Sequence, residues 1–291
     1  MIQKINIFSA GWIRNRIFDI KYLIHAIYFR YPIKLIWYNI IGLMSLGLVY
    51  PLARIILGRE KAHKVRQAYL DIFLSGFTVP LPPPLKSKIA TIDGSNYTNY
   101  YGIFIRDMYL QEFLKAGMNV IDVGANIGFY TALASEKVGR QGKVVAIEPE
   151  TKNYKRLIEN METNDLQNVI PVKMALLDHC GSEKLYLHRF SVSHSLLLQE
   201  DKSHLVCVQT TTLDKLTEEL DIKKIDMIKI NAEGGELSIL KGAENVLKAN
   251  LNAKIILLCD HYPSEKDEVC QFLNERGFKT KTYYENIVAT V

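Results

Sequence analysis

Cysteine is scarce in this 291-residue chain: Cys180, Cys207, Cys259 and Cys270 are the only four, with no C-x-x-C pair and no metal-ligand spacing. That argues against a disulfide framework, assigns no metal, and reads as reduced, structural thiols of a cytosolic protein. No cleavable signal pattern is expected at the start. Acid is scarce in the first third, where residues 1–90 carry 3 Asp/Glu against 13 Lys/Arg; the remainder carries 28 against 23. A basic, apolar front joined to a mildly acidic body implies an anionic partner for the front alone, with lipid headgroups and nucleic acid both in view. With 48% hydrophobic and 23% charged residues, wholesale disorder is excluded, and the length suits one large α/β domain with an appendage.

Charge is absent from residues 35–53, a stretch close to the roughly 20 residues that cross a bilayer. Asn39, Gly42, Ser45 and Gly47 dilute it, and Pro51 should kink it. Upstream, Ile13, Ile17, Ile20, Ile24 and Ile27 recur at helical spacing beside cationic and aromatic neighbours, as in an interfacial helix. Both flanks of the uncharged run are basic, six Lys/Arg to one acid over 1–34 and five to one over 54–66, which favours an in-plane or re-entrant element over a one-way crossing. Residues 1–78 are therefore expected to attach monotopically to an anionic membrane surface at its cytoplasmic face. The second choice is a soluble cytoplasmic protein whose front caps the active site or forms a dimer interface, making a homo-oligomer. A helix is expected over 61–77. Four prolines between 79 and 85 mark a boundary, and 79–117 reads as a stiff linker with a hairpin lead-in around Asp93 to Asn96.

From 118 to 291 short apolar runs alternate with amphipathic stretches, the pattern of a parallel sheet with crossover helices. Strands are predicted at 119–123, 144–147, 169–174, 226–230 and 255–258, and helices at 129–138, 152–163, 236–248 and 265–276. Runs at 184–188 and 205–211 interrupt the alternation, while 279–284 and 286–291 should pair as an antiparallel edge. The fold class is thus α/β, a Rossmann-like, mostly parallel doubly wound sheet preceded by helices.

The first strand ends in D-V-G-A-N-I-G, Asp122 to Gly128, and runs straight into a helix. Glycines there let backbone approach a ligand, and Glu148, ending the next strand, can accept hydrogen bonds from two ribose hydroxyls. The G-x-G-x-x-G that a pyrophosphate needs is missing, and Asp122 should repel pyrophosphate while suiting an ammonium and a sulfonium. S-adenosylmethionine is the expected cofactor. The motif D-V-G-A-N-I-G, with E-P at 148–149, N-x-x-x-N at 160–164, A-L-L-D at 175–178, T-T-L-D at 211–214, I-K-I-N-A-E-G-G-E at 228–236 and L-K-G-A-E at 240–244, resembles the FkbM-type methyltransferases over residues 118–261. The resemblance implies an O-methyltransferase of sugar or natural-product hydroxyls. Asp122, Gly124, Asn126 and Gly128 would shape the methionine and ribose pocket, Glu148 would hold the ribose, and Asp178 would lie near the adenine or merely form a turn.

The family's I-D-x-E-G appears here as Ile230-Asn231-Ala232-Glu233-Gly234, so Asn231 replaces an expected aspartate and can offer only hydrogen bonds. Candidate bases, in order of preference, are His261, which Asp260 could orient, then Glu233, then His194. The acceptor is expected to be a small molecule, glycan or lipid-linked saccharide. A nucleic-acid methyltransferase is the weaker enzyme alternative, since no [DN]-P-P-[YF] loop is present to hold a flipped base. A catalytically weak cofactor-binding scaffold, marked by Asn231, is the non-enzymatic one.

Overall fold

The computed structural model describes residues 33–187, 205–259, 261–283 and 286–291. The isoleucine stripe at 13–27, His194 and Asp260 lie outside them. The chain forms two compact units, Met1–Arg106 and Asp107–Val291.

In the first unit, the helical rod Ile33–Leu57 runs as α1 (Ile33–Met44), a π-turn (Ser45–Val49) and α2 (Tyr50–Leu57). The π-turn sits just ahead of Pro51, whose ring would meet the residue 47 carbonyl in a regular α-helix; widening the helix there absorbs the expected kink. Gly58, at φ 82°, ends the rod, and α3 (Arg59–Leu74) folds back along it. The inner face carries Leu35, Tyr38, Asn39, Gly42 and Ser45, all buried. Tyr38 stacks on Phe77 and meets Tyr97 and Tyr100 edge-on at 5.2 and 5.1 Å. A side chain at Gly42 would overlap the Tyr97 ring, so glycine is what lets that ring close on the rod.

Two expectations change here. The first unit reaches Arg106, so residues 79–106 are packed structure within it and the linker expected over 79–117 is not one. The hairpin lies around the prolines, β1 (Thr78–Pro80) pairing antiparallel with β2 (Lys88–Ala90), whereas Asp93 to Asn96 turns into α4 (Asn96–Tyr100). The reason is local: Asn96 Oδ1 accepts from the Ile92 and Asp93 amides, and Asp93 Oδ1 accepts from the Ser95 amide, closing the turn.

The second unit is built on a seven-stranded sheet. Its strands are β3 (Asn119–Val123), β4 (Lys143–Ile147), β5 (Val169–Val172), β9 (Met227–Ile230), β10 (Lys254–Leu258), β11 (Lys279–Tyr283) and β12 (Asn286–Thr290), in the order β11-β12-β10-β9-β3-β4-β5. Only β12 opposes its neighbours, giving the expected antiparallel edge. Helices α5 (Phe129–Val138), α6 (Thr151–Thr163), α8 (Glu236–Lys241), α9 (Glu244–Ala249) and α10 (Glu265–Asn274) supply the crossovers, and α7 (Leu213–Glu219) was not anticipated. The interrupting runs form their own small sheet, β6 (Ala175–Leu176), β7 (Gly181–Tyr186) and β8 (Leu205–Thr211), ordered β6-β8-β7.

Strands covered on both faces read as unbroken apolar runs, and Ile121, Val123, Val145, Ile147, Ile228, Ile230, Ile255 and Leu257 form one buried cluster. Each contributes about 1.5–3 kcal/mol by leaving water. From β3 the chain proceeds to β4 and β5 on one side, while β9 and β10 extend the sheet on the other. The order therefore reverses between β3 and β9, and the crevice at their carboxyl ends is where open α/β sheets take ligands.

Candidate active site

Gly124 leaves β3 at φ 73°, and a Cβ there would overlap the carbonyl oxygen of Asn231 at the end of β9. Only glycine meets both conditions, so the loop and the β9 end close on each other at the switch point. Gly128, at φ 96°, starts α5, and Asn160 on α6 donates to the Ile127 carbonyl at 2.8 Å. Asn164 donates in turn to the Asn160 carbonyl, so the N-x-x-x-N spacing serves to brace this loop. Asn126 (φ 51°) and Glu233 (φ 51°) hold the left-handed conformation on either side of the crevice, a cost non-glycine residues carry mostly at functional loops.

Glu148 faces this loop. Its Oε2 accepts from the Asn126 amide at 2.9 Å and its Oε1 from the Glu150 amide at 3.0 Å, leaving each oxygen further acceptor capacity. Burial raises its pKa to about 7, against the pull of the Glu150 and Asn126 amides.

Asp122 departs from expectation. It is fully buried, with Oδ1 held by Lys229 Nζ at 2.9 Å and Oδ2 by the Thr131 hydroxyl at 2.7 Å. Lys229 also donates to the carbonyls of Val123 (3.2 Å) and Gly124 (2.9 Å) and lies 5.3 Å from the Tyr109 ring centre. The pair fastens the loop from beneath, and Asp122 shapes the pocket without offering a carboxylate to it. With its charge matched, Asp122 no longer repels pyrophosphate; the missing third glycine still tells against a dinucleotide.

Asp178 makes the bonds of a turn. Its carboxylate pairs with His179 at 2.8 Å and its amide donates to the Ser238 hydroxyl, which ties the end of β6 to α8. The adenine role expected of it has no support in these bonds. Other matched motifs are also structural: Asp214 accepts from the Asn245 and Val246 amides at the start of α9, and Gly242 has no room for a side chain against the Leu177 carbonyl.

The candidate catalytic residues Asn231, Glu233 and His261 do come together, at the carboxyl ends of β9 and β10. His261 Nε2 lies 3.8 Å from Glu233, and its Nδ1 lies 3.1 Å from Glu265 and 3.7 Å from Glu236. Glu236 and Glu265 are wholly buried and were not foreseen. Glu236 accepts from the Ala232 and Gly234 amides and so forms the turn that carries Glu233; Glu265 Oε2 accepts from the His261 amide. Burial alone would lower the His261 pKa, but the Glu265 bond and the charges of Glu236 and Glu233 outweigh it and raise it to about 9. Burial and its bond to Glu265 raise the Glu236 carboxyl.

Ligand atoms of Glu236, His261 and Glu265 lie within 4.8 Å of one another, close enough for a metal ion. Both Glu236 oxygens and one from Glu265 are already engaged by backbone amides, however, and imidazolium supplies the compensating positive charge. A ring held at Nδ1 by a buried carboxylate, with Nε2 turned to a partly exposed glutamate, can take a proton once it is in its neutral form, above the raised pKa.

Asn231 Oδ1 is buried without a hydrogen-bond partner among the described residues, at a cost of about 1–3 kcal/mol. An orphaned acceptor beside the glycine loop fits a ligand that brings a donor. The ammonium of an S-adenosylmethionine does so, and Glu148 has acceptor capacity for its ribose hydroxyls.

A family model described as the methyltransferase FkbM domain matches residues 122–280, more than half of the chain. The chain belongs to the FkbM methyltransferase family. It is 26% identical over 160 residues to hexuronic acid methyltransferase AglP of Haloferax volcanii, covering 55% of this chain and 63% of that protein. It is 25% identical over 161 residues to methyltransferase 1 of Beauveria bassiana, covering 48% and 64%. The FkbM chain thus spans just under two thirds of the length of these two relatives. Among solved structures, methyltransferase FkbM from Methylobacillus flagellatus is similar with a TM-score of 0.45 at 14% identity, over 68% of this chain and 54% of that one. The loop, Glu148, Asn231, Glu233 and His261 all fall within the matched region. The first unit lies outside it.

Proposed function

We propose that this FkbM protein is an S-adenosylmethionine-dependent O-methyltransferase acting on a hydroxyl of a sugar, glycan or lipid-linked saccharide at the cytoplasmic face of a membrane. The observation that carries it is that the Gly124 loop, Glu148 and His261 all stand at the carboxyl ends of the neighbouring strands β10, β9, β3 and β4. The cofactor supplies an electrophilic methyl on a sulfonium. Glu148 would accept from its ribose and Asn231 Oδ1 from its ammonium, and Lys229 ties down the loop beneath. In its neutral form His261 Nε2 would take the acceptor hydroxyl's proton as the new carbon–oxygen bond forms and the methyl carbon–sulfur bond breaks, with S-adenosylhomocysteine leaving, while Glu265 and Glu236 hold the ring and offset the imidazolium charge.

A hydroxyl suits this site better than a carboxylate acceptor. A hydroxyl arrives neutral and must lose a proton, which gives the imidazole a role, whereas a carboxylate needs no base. The similarity to AglP, a hexuronic acid methyltransferase, makes a saccharide the acceptor class to try first.

Radiolabelled cofactor incubated with membrane glycolipid extracts and with delipidated glycans decides the matter. Base-stable label should enter one saccharide fraction and depend on Glu148, with a Glu148→Gln protein as the blank. Label that mild alkali releases would indicate a methyl ester and overturn the hydroxyl assignment. Absence of label above the blank in every fraction would overturn methylation of saccharides altogether.

A further inference from the structure

An apolar rod need not cross a bilayer to meet it, and among the described residues the rod of the first unit buries one face and exposes the other. From the packing of Ile33–Leu57 we infer that it lies in the plane of one anionic leaflet, its outer face buried among acyl chains. This extends the proposed location to a named surface and stands without the methyl-transfer reading.

The rod is mostly apolar, and its two faces meet different surroundings. The inner face is committed to the tyrosines of α4, and Asn39 Nδ2 donates to the Leu35 carbonyl at 2.8 Å and to the Tyr100 hydroxyl at 3.2 Å. The outer face carries Trp37, Met44, Leu48, Leu52, Ile55 and Ile56, all exposed, with Ile56 76% accessible. A helix on a soluble surface would put polar side chains there; a contiguous apolar stripe calls for an apolar medium.

A second copy of the chain would cover such a face equally well, but the charge beside it selects lipid. Arg54, Arg59 and Lys61 lie within four residues of Gly58 at the hairpin tip, next to Ile55, Ile56 and Leu57, with Glu60 as the only acid over 54–66. Two copies meeting there would bring like charges together, whereas anionic headgroups would neutralise them as the aliphatics enter the leaflet.

A transmembrane passage conflicts with the inner face. A lipid-surrounded span would carry the Asn39–Tyr100 pair and the polar α4 sequence Asn96 to Tyr100 into hydrocarbon.

The test is flotation of the full-length protein with phosphatidylcholine vesicles, either pure or with roughly 30% phosphatidylglycerol. The wild type should float with the anionic vesicles, and about tenfold less should float with the neutral ones or in high salt. Ile56→Asp, on an exposed position, should lower flotation about tenfold further while leaving far-ultraviolet circular dichroism and cofactor affinity unchanged. Three results would overturn the inference: wild type that stays unfloated with anionic vesicles, Ile56→Asp protein that floats as well as wild type, or a wild-type dimer that Ile56→Asp converts to monomer without changing flotation.

Discussion

Replacing Glu148 by glutamine should weaken S-adenosylhomocysteine binding by about two orders of magnitude, read by calorimetry, with the fold intact. The carboxylate accepts from the Asn126 and Glu150 amides, one on each oxygen. An amide side chain offers one oxygen only, and its NH2 group must face one of those backbone donors. Each hydrogen bond to a charged group is worth about 1.5–3 kcal/mol, so losing the charge across two ribose hydroxyls accounts for roughly a hundredfold. Burial has also raised this carboxyl to a pKa of about 7. The ionised form is the better acceptor, so wild-type affinity should rise roughly tenfold from pH 6 to pH 8 as the ionised fraction grows. The glutamine protein should show no such rise. Equal affinity at both pH values in the wild type would mean that Glu148 does not contact the ligand.

Removing the imidazole at 261 should cost turnover rather than cofactor binding. A positioned general base contributes about 10²–10⁴-fold, and His261→Ala should lose kcat by that much while the S-adenosylhomocysteine Kd stays within about threefold. The pH profile provides a sharper signature. Three glutamates raise the His261 pKa to about 9, so at neutral pH the ring is mostly protonated and cannot accept a proton. The neutral form is the active one, and kcat/KM should therefore climb about tenfold per pH unit below 9 and level off above it. Glu265→Gln removes the carboxylate at Nδ1, which should move the midpoint downward and reduce the plateau. An alanine variant that keeps both the rate and the profile would transfer the base role to Glu233.

How far these residues could be read in advance depended on whether their partners were local. The glycine loop and Glu148 were legible because strand, tight turn and helix follow one another, and buried parallel strands announce themselves as apolar runs. Lys229 was not singled out, although a lone lysine inside Met227-Ile228-Lys229-Ile230 was the available signal. A charge in a strand buried on both faces must have a partner, and that partner is Asp122, 107 positions earlier. Glu236 and Glu265 were equally hidden, since an acid in the first turn of a helix looks like ordinary compensation of the helix dipole. What gives them another role is the His261 ring between them. The boundary of the first unit was misplaced for the same reason: prolines are visible in sequence, whereas the packing of Tyr97 and Tyr100 on Tyr38 spans about sixty residues.

The most direct test is a crystal structure of the full chain with S-adenosylhomocysteine. The ribose hydroxyls are expected within hydrogen-bond distance of Glu148, the amino group at Asn231 Oδ1, and the sulfur facing the His261 side of the crevice. A ligand seated away from the Gly124 loop, or a ribose held by other residues while Glu148 keeps only its backbone amides, would contradict the account.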